Sequence, residues 1–180
     1  MLKRLWECLT VWSVPSTTLE GAQAILAHAA GENSPTDPGL VNEFLAQKIR
    51  ELYHQLKVPV IVEGELKLCL SDVPLTAVSL RHAEMDEMGI DYMTTIDIAR
   101  WQKTECDKLD AKRVVLVSYY PHYWRAVKAT EKVGLTVLVP SGLREIYDPN
   151  NSQVWARYKW VNRLYELFLA RPYSFLKGWV

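Results

Sequence analysis

The stretch Lys112-Arg113-Val114-Val115-Leu116-Val117-Ser118-Tyr119-Tyr120-Pro121-His122-Tyr123-Trp124-Arg125-Ala126 decides how the chain is read. Val114 to Val117 is an unbroken β-branched and aliphatic run, the mark of a strand buried on both faces. The run ends at Ser118. Pro121 then fits the first turn of a helix, where its missing N–H is no loss. A buried strand that passes directly into a helix leaves backbone N–H groups open at the helix start. Those groups and the helix dipole favour an anion or a polar ligand atom. His122 and Arg125 are three apart and share one side of that helix. The stretch therefore marks a ligand site and leaves the reaction open.

Downstream, the helix stops at Gly134 and Thr136–Val139 forms a fifth strand, ended by Pro140-Ser141-Gly142. A turn-rich passage through Asp148-Pro149-Asn150-Asn151 leads to a last long helix from about Ser152 to Ala170. Its apolar stripe is Val154, Tyr158, Val161, Tyr165 and Phe168. Pro172 and Gly178 break the tail.

Upstream, residues 3–12 read as a short helix or an extended arm, and Ala22–His28 as the first strand. A loop of turn formers follows, with Asp37 as N-cap and Pro38 as first helical residue of a helix over Leu40–Leu56. Val58–Val62 is the second strand. Leu75–Met88 is helical by spacing, with Leu75, Val78, His82 and Met85 on one stripe and Gly89 as its stop. Asp91–Thr95 is a weak third strand, and Asp97–Leu109 a further helix.

Strands that alternate with helices predict an α/β domain of three layers, with about five mostly parallel strands and helices on both faces. Residues 1–20 form an N-terminal arm or short helix, and 21–180 one domain.

The 180 residues are 49% hydrophobic, enough for a sizeable core, and no part has the composition of a disordered segment. Twenty-one basic and 21 acidic side chains cancel, which argues against a general nucleic-acid binder. Seven Trp and nine Tyr read first as core or interface material, with a pocket lining as the other reading. Cys8, Cys69 and Cys106 are far apart, with no zinc spacing, as in a protein with reduced thiols. Glu7 interrupts the apolar N-terminus, no small-x-small cleavage site follows, and no segment approaches the ~20 apolar residues of a membrane span. The expectation is a soluble, cytoplasmic protein, with a homo-oligomer left open.

In open parallel sheets, ligands bind beyond the carboxyl ends of the strands. This selects the loops after residues 28, 62, 95 and 118. The first offers Gly31, where backbone can approach a ligand closely, with Glu32 and Asn33. A lone glycine is no dinucleotide fingerprint, and an ordinary tight turn explains it equally well. His28 reads as a satisfied, half-buried side chain. Glu63-Gly64-Glu65 puts two carboxylates beside a glycine, a pair that can divide acid and base roles or hold a divalent ion. With no acidic cluster beside them in sequence they read first as solvated turn residues, and no metal ligand is assigned. Thr94, Thr95 and Asp97 sit at a strand-to-helix junction, where Thr95 is the expected N-cap.

Ser118, Tyr119, His122 and Arg125 form the strongest group. Ser118 as a nucleophile needs a base in reach, which His122 can supply, but there is no GxSxG elbow. Arg125 suits a two-pronged clamp on phosphate or carboxylate; the other reading pairs it with a surface acid and has His122 cap the helix. The segment 155–177, with Arg157, Lys159, Arg163, Arg171 and Lys177 against Glu166, reads as a basic solvated helix face. Peripheral contact with an anionic membrane, aided by Trp160 and Trp179, is the other reading.

The run Val117-Ser118-Tyr119-Tyr120-Pro121-His122-Tyr123-Trp124-Arg125-Ala126, followed by Gly134-Leu135-Thr136-Val137 and by the tail from Leu164-Tyr165-Glu166 to Gly178-Trp179, resembles the YdcF-like family (the SanA/ElyC group), a bacterial domain of unknown function. The His-x-x-Arg-Ala part of the family's pattern is retained. The family's glycine-rich first loop is reduced to Ala30-Gly31-Glu32, and its Ser-Gly-Gly appears as Glu63-Gly64-Glu65, so the resemblance is to a divergent member. It implies a Rossmann-like domain linked in bacteria to the cell envelope. Two functions follow as expectations. The first is a domain that binds a small anionic or nucleotide-like ligand at the strand ends, as a transferase or hydrolase, with His122 as acid or base. In it Arg125 is the clamp, and Gly31, Glu32, Asn33, Glu63, Gly64, Thr95, Ser118 and Tyr119 are contacts. The second is a non-catalytic binding or scaffolding module that acts through its aromatic surface. No cofactor is indicated.

Overall fold

The computed structural model describes residues 2–91 and 93–180. Five parallel strands make one sheet: β1 (Ala24–His28), β2 (Val60–Val62), β3 (Ala77–Val78), β4 (Arg113–Ser118) and β5 (Thr136–Leu138), in the order β3-β2-β1-β4-β5. The centre is β1, where Ile25 lies opposite Val60 on one side and Val115 on the other. All of β1 and Val114 to Ser118 of β4 are buried, which is why both read as continuous apolar runs.

Strand alternation sends Ile25, Ala27, Val60, Val62, Val115 and Val117 to one face. There α2 (Gly39–Leu56) packs through Val41, Leu45, Ile49 and Leu52. Ala24, Leu26, Ile61, Val114 and Leu116 face the other side. They meet Cys106 of α4 (Thr95–Lys108) and Tyr123, Ala126 and Val127 of α5 (Tyr123–Lys132). Each large aliphatic side chain buried this way contributes about 1.5–3 kcal/mol. The result is the three-layer, Rossmann-like α/β domain that the alternation predicts.

Four local expectations are corrected. The third strand is not at Asp91–Thr95. Tyr92 lies outside the described residues, and the rest of that span leads into α4 without a strand. The strand is Ala77–Val78, inside the span expected to be helical. Thr76 N–H donates to Val60 O at 2.8 Å and Ser79 N–H to Val62 O at 3.1 Å, so the edge of β2 captures this segment before α3 (His82–Met88) begins. Two residues are too short to show a strand period, while the apolar positions 75, 78, 82 and 85 imitate a helix.

The start of α2 also differs. Pro38 lies just before the helix, and the Asp37 carboxylate accepts the Gly39 N–H at 2.9 Å. The next N–H, from Leu40, is taken by Asp148 at 2.9 Å, a partner 108 residues away.

The long last helix is divided. A 3₁₀ turn (Val154–Ala156) precedes α6 (Lys159–Tyr165), a π-helical turn (Glu166–Ala170) and α7 (Arg171–Leu176). Pro172 does not break it. It stands in the first turn of α7, directly after the π turn, where a proline's fixed φ suits the helix. At the other end of the chain, α1 (Leu2–Thr10) packs on α7. Among the described residues, no helix is long and apolar enough to cross a membrane.

Candidate functional site

Strand order reverses between β1 and β4: β1 leads outward through β2 and β3, β4 through β5. In a doubly wound sheet this is the switch point beyond whose carboxyl ends a crevice opens. A cavity of about 270 Å³ lies there. His28 and Ala29 reach it from the end of β1, Glu63 from β2, and His82 from the start of α3. The beginnings of α4 and α5 supply Thr94, Thr95, His122 and Arg125. Trp155, Tyr165, Tyr173 and Trp179 close it from the C-terminal segment.

The N-cap of α4 is Thr94, not Thr95. Its N–H and hydroxyl both donate to Asp97 Oδ2, at 3.1 and 2.6 Å. The Thr95 hydroxyl is thereby left to accept a hydrogen bond from Arg125 Nη1. Arg125 Nη2 donates to Glu166 Oε1 at 3.0 Å. The acid is buried, not the surface acid weighed from sequence, because the π turn carries Glu166 inward. Glu166 Oε2 also faces Arg171 Nε at 3.4 Å, five residues on, an offset that a π turn stacks on one side.

Ser118 Oγ and His122 Nε2 are 2.9 Å apart. Burial, with Arg125, His28 and Arg171 nearby, holds the His122 imidazole well below its ordinary range, so the ring is neutral. His28 is fully buried rather than half-buried. Its Nε2 meets Gln102 Oε1 at 2.9 Å, and burial lowers its pKa to about 4.

Glu63 and Glu65 are not solvated turn residues: both are buried, because residues 64–69 fold as a 3₁₀ turn under the α3 loop. Glu63 Oε2 accepts the Ala29 N–H at 2.8 Å. Glu65 Oε1 accepts the His82 N–H at 2.8 Å and lies 2.7 Å from His82 Nδ1. Burial, reinforced by the charge of Glu65, raises the Glu63 carboxyl to about 8. Burial opposes ionisation of Glu65 and of His82 as well, but their mutual hydrogen bond and attraction outweigh it, lowering the acid and raising the imidazole.

Of the residues selected from sequence, Glu63, Thr95, His122 and Arg125 lie on the cavity wall, while Gly31, Glu32, Asn33, Gly64, Ser118 and Tyr119 do not. Ser118 is fully buried behind His122, and Tyr119 packs in the α2-side core with its ring edge-on to His122 and Tyr147. Gly31 is a glycine for the sake of its own chain. A Cβ there would stand 2.5 Å from Gln153 Cγ, and its N–H donates to Gln153 Oε1 at 3.0 Å. Glu32 faces Arg81 at 3.7 Å, and Asn33 binds Asp37 within its loop.

The basic reading of 155–177 is corrected too. Arg171 is 0% exposed, Arg163 binds Glu145 and lies over the Trp12 ring, and Arg157 donates to Asn151 O at 2.6 Å. The exposed character there is apolar, with Trp160 and Phe168 each 67% and Leu176 82% exposed.

Sequence reasoning passed over His82, and it placed the aromatic residues in core or interface ahead of a pocket wall. His82 stands 17 residues after Glu65, and only the pairing of β2 with β3 joins them, so no local spacing could have signalled it. Fold and cavity together define a doubly wound α/β domain with a pocket at its switch point. Comparison with protein-family models, with curated proteins and with solved structures finds no match.

Proposed function

We propose that this domain binds a small anionic ligand, bearing phosphate or carboxylate as a nucleotide does, in the cavity at the ends of β1, β2 and β4. The observation that carries the reading is that two helix starts, Thr94–Thr95 of α4 and His122 of α5, line one cavity beside Arg125. Both helices exceed two turns, so their dipoles favour negative charge at that spot; at α5 the His122 and Tyr123 N–H groups are taken up by the preceding 3₁₀ turn, which leaves the start of α4 the more open of the two. Arg125 stands on the wall of the same cavity, its guanidinium held in place by Thr95 and Glu166. His122 lies within hydrogen-bond reach of Ser118, the pairing of hydroxyl and imidazole that a transferase or hydrolase uses. The resemblance to YdcF-like domains at His122-x-x-Arg125-Ala126 points the same way and adds a link to the cell envelope.

The test is a thermal-unfolding screen with inorganic phosphate, nucleotides and sugar phosphates. A ligand at a hundred times its Kd stabilises by about 2.7 kcal/mol, a rise in Tm of about 5–10 °C for a domain of this size. Arg125→Gln, with native circular dichroism, loses the shift. No shift with any of these ligands overturns the reading.

A second reading rests on the exposed apolar face. Trp160, Leu164 and Phe168 at four-residue steps, with Leu169 and Leu176, stand out beside the exposed Lys159 and Lys177. A helical face of Trp, Phe and Leu flanked by lysine suits the interface of an anionic lipid surface. Co-sedimentation with phosphatidylglycerol vesicles, lost in Phe168→Glu, supports it; equal sedimentation of that variant, or none by the wild type, sinks it.

A further inference from the structure

We infer that Glu63, Glu65 and His82 bind a divalent first-row cation of the Mn²⁺ or Zn²⁺ kind at the wall of the cavity. One donor atom from each residue lies within 4.8 Å of the others. Ligands of one ion with bonds of ~2.0–2.2 Å stand at most about 4.4 Å apart. Three donors of one such ion stand roughly 3–4 Å apart, so the side chains draw together when the ion enters.

The two carboxylates are oriented before any ion arrives. Glu63 is tied through Oε2 to the Ala29 N–H, which leaves Oε1 on the side of His82, 3.9 Å from its Nε2. Glu65 is tied through Oε1 to the His82 N–H. Its Oε2 is buried with no hydrogen-bond partner among the described residues, although the side chain is only 1% exposed. Oε1 also faces His82 Nδ1 at 2.7 Å, so Oε2 is the oxygen left over; buried acceptors are nearly always satisfied, and an unbonded one beside a second buried carboxylate points to an occupant at this spot. Backbone anchoring of one oxygen with the other turned to the ion is the outer-shell support seen at metal sites.

The fold builds the cluster from separate elements. Gly64 lets the α3 loop come close, since a Cβ there would lie 2.6 Å from Arg81 N, and that approach sets His82 beside the carboxylates. The donor chemistry selects the ion. Ca²⁺ and Mg²⁺ take oxygen shells, whereas an imidazole with two carboxylates suits Mn²⁺, Fe²⁺ or Zn²⁺. Three protein donors leave coordination positions open, as catalytic sites do. Glu63 and His82 line the cavity, so those positions face it. The inference stands apart from the anion proposal, because it needs no ligand but the metal.

The full chain, stripped with chelator, is titrated with MnCl₂ and free Mn²⁺ is followed by its paramagnetic resonance signal; ZnCl₂ and MgCl₂ are compared by calorimetry. One Mn²⁺ or Zn²⁺ per chain is expected, with Mg²⁺ weaker. His82→Gln and Glu63→Gln, each with native circular dichroism, should weaken binding by at least tenfold, while His54→Gln, an exposed histidine elsewhere, should not change it. Either variant suffices if the other does not fold. Absence of stoichiometric Mn²⁺ and Zn²⁺ binding, preference for Mg²⁺, or undiminished affinity in a folded variant overturns the assignment.

Discussion

Arg125 and Glu166, 41 residues apart in sequence, meet as a buried ion pair at 3.0 Å. The same carboxylate faces Arg171, whose Nη1 donates to the carbonyls of Cys8 at 2.8 Å and Val11 at 2.7 Å. The rings of Trp12 and Trp124 lie 4.1 and 5.1 Å from its guanidinium. One acid thus joins α5, the C-terminal helices and the N-terminal segment. Glu166→Gln removes the buried carboxylate that both guanidiniums face and should cost about 3–5 kcal/mol in chemical denaturation. A loss below about 1 kcal/mol would show that the pair is not holding these segments.

Gly64 is required by close approach, not by a positive φ. Ala at 64 would press its Cβ on Arg81 N at 2.6 Å and Leu80 C at 2.8 Å, both backbone atoms. Gly64→Ala should therefore lose about 1–3 kcal/mol by overpacking. Gly89→Ala, at φ +66° but in open space, should lose about 1 kcal/mol through backbone conformation alone. Urea melts of the two variants compare the mechanisms directly, and a Gly64→Ala loss well below about 1 kcal/mol would refute the packing account.

Asn42 of α2 clamps the loop after β1. Its side chain accepts the Ala30 N–H and donates to the carbonyls of Ala30 and Pro38, each at 2.9 Å. Asn42→Leu keeps the volume and strands those backbone groups in the interior. The expected loss is about 2–4 kcal/mol, read by denaturant unfolding; a neutral variant would mean that the loop finds other partners.

Stability should depend on pH through His28. The folded state holds its pKa near 4, against 6.5 for the free side chain. Below 6.5 the unfolded chain takes up a proton that the folded protein refuses until about pH 4. Stability from this residue is complete above pH 6.5 and falls as pH drops toward 4, by at most about 3 kcal/mol. His28→Gln removes the proton uptake, so the wild type should lose stability relative to the variant over that interval. A flat difference between pH 7 and pH 4 would contradict the buried, neutral imidazole.

Several elements were legible before any coordinates. The β-branched run Val114–Val117, the helical spacing from Val41 to Leu56 and the stop at Gly89 all appear where local pattern places them. What failed were features whose cause is distant. Ala77–Val78 is a strand because β2 lies alongside it, and Glu63 and Glu65 are buried because His82 and the α3 loop cover them. The turn at Glu166 opens to π register where its carboxylate meets Arg125 of the distant α5 and Arg171 five residues on.

By itself the order of residues determined the α/β class and the junction of β4 with α5, since apolar period, strand propensity and helix stops act over a few neighbouring residues. Tertiary structure alone decided the strand order, and with it the switch point where the cavity opens. It also decided which charged side chains are interior, because burial and ion pairing depend on surfaces that meet only after the chain has folded.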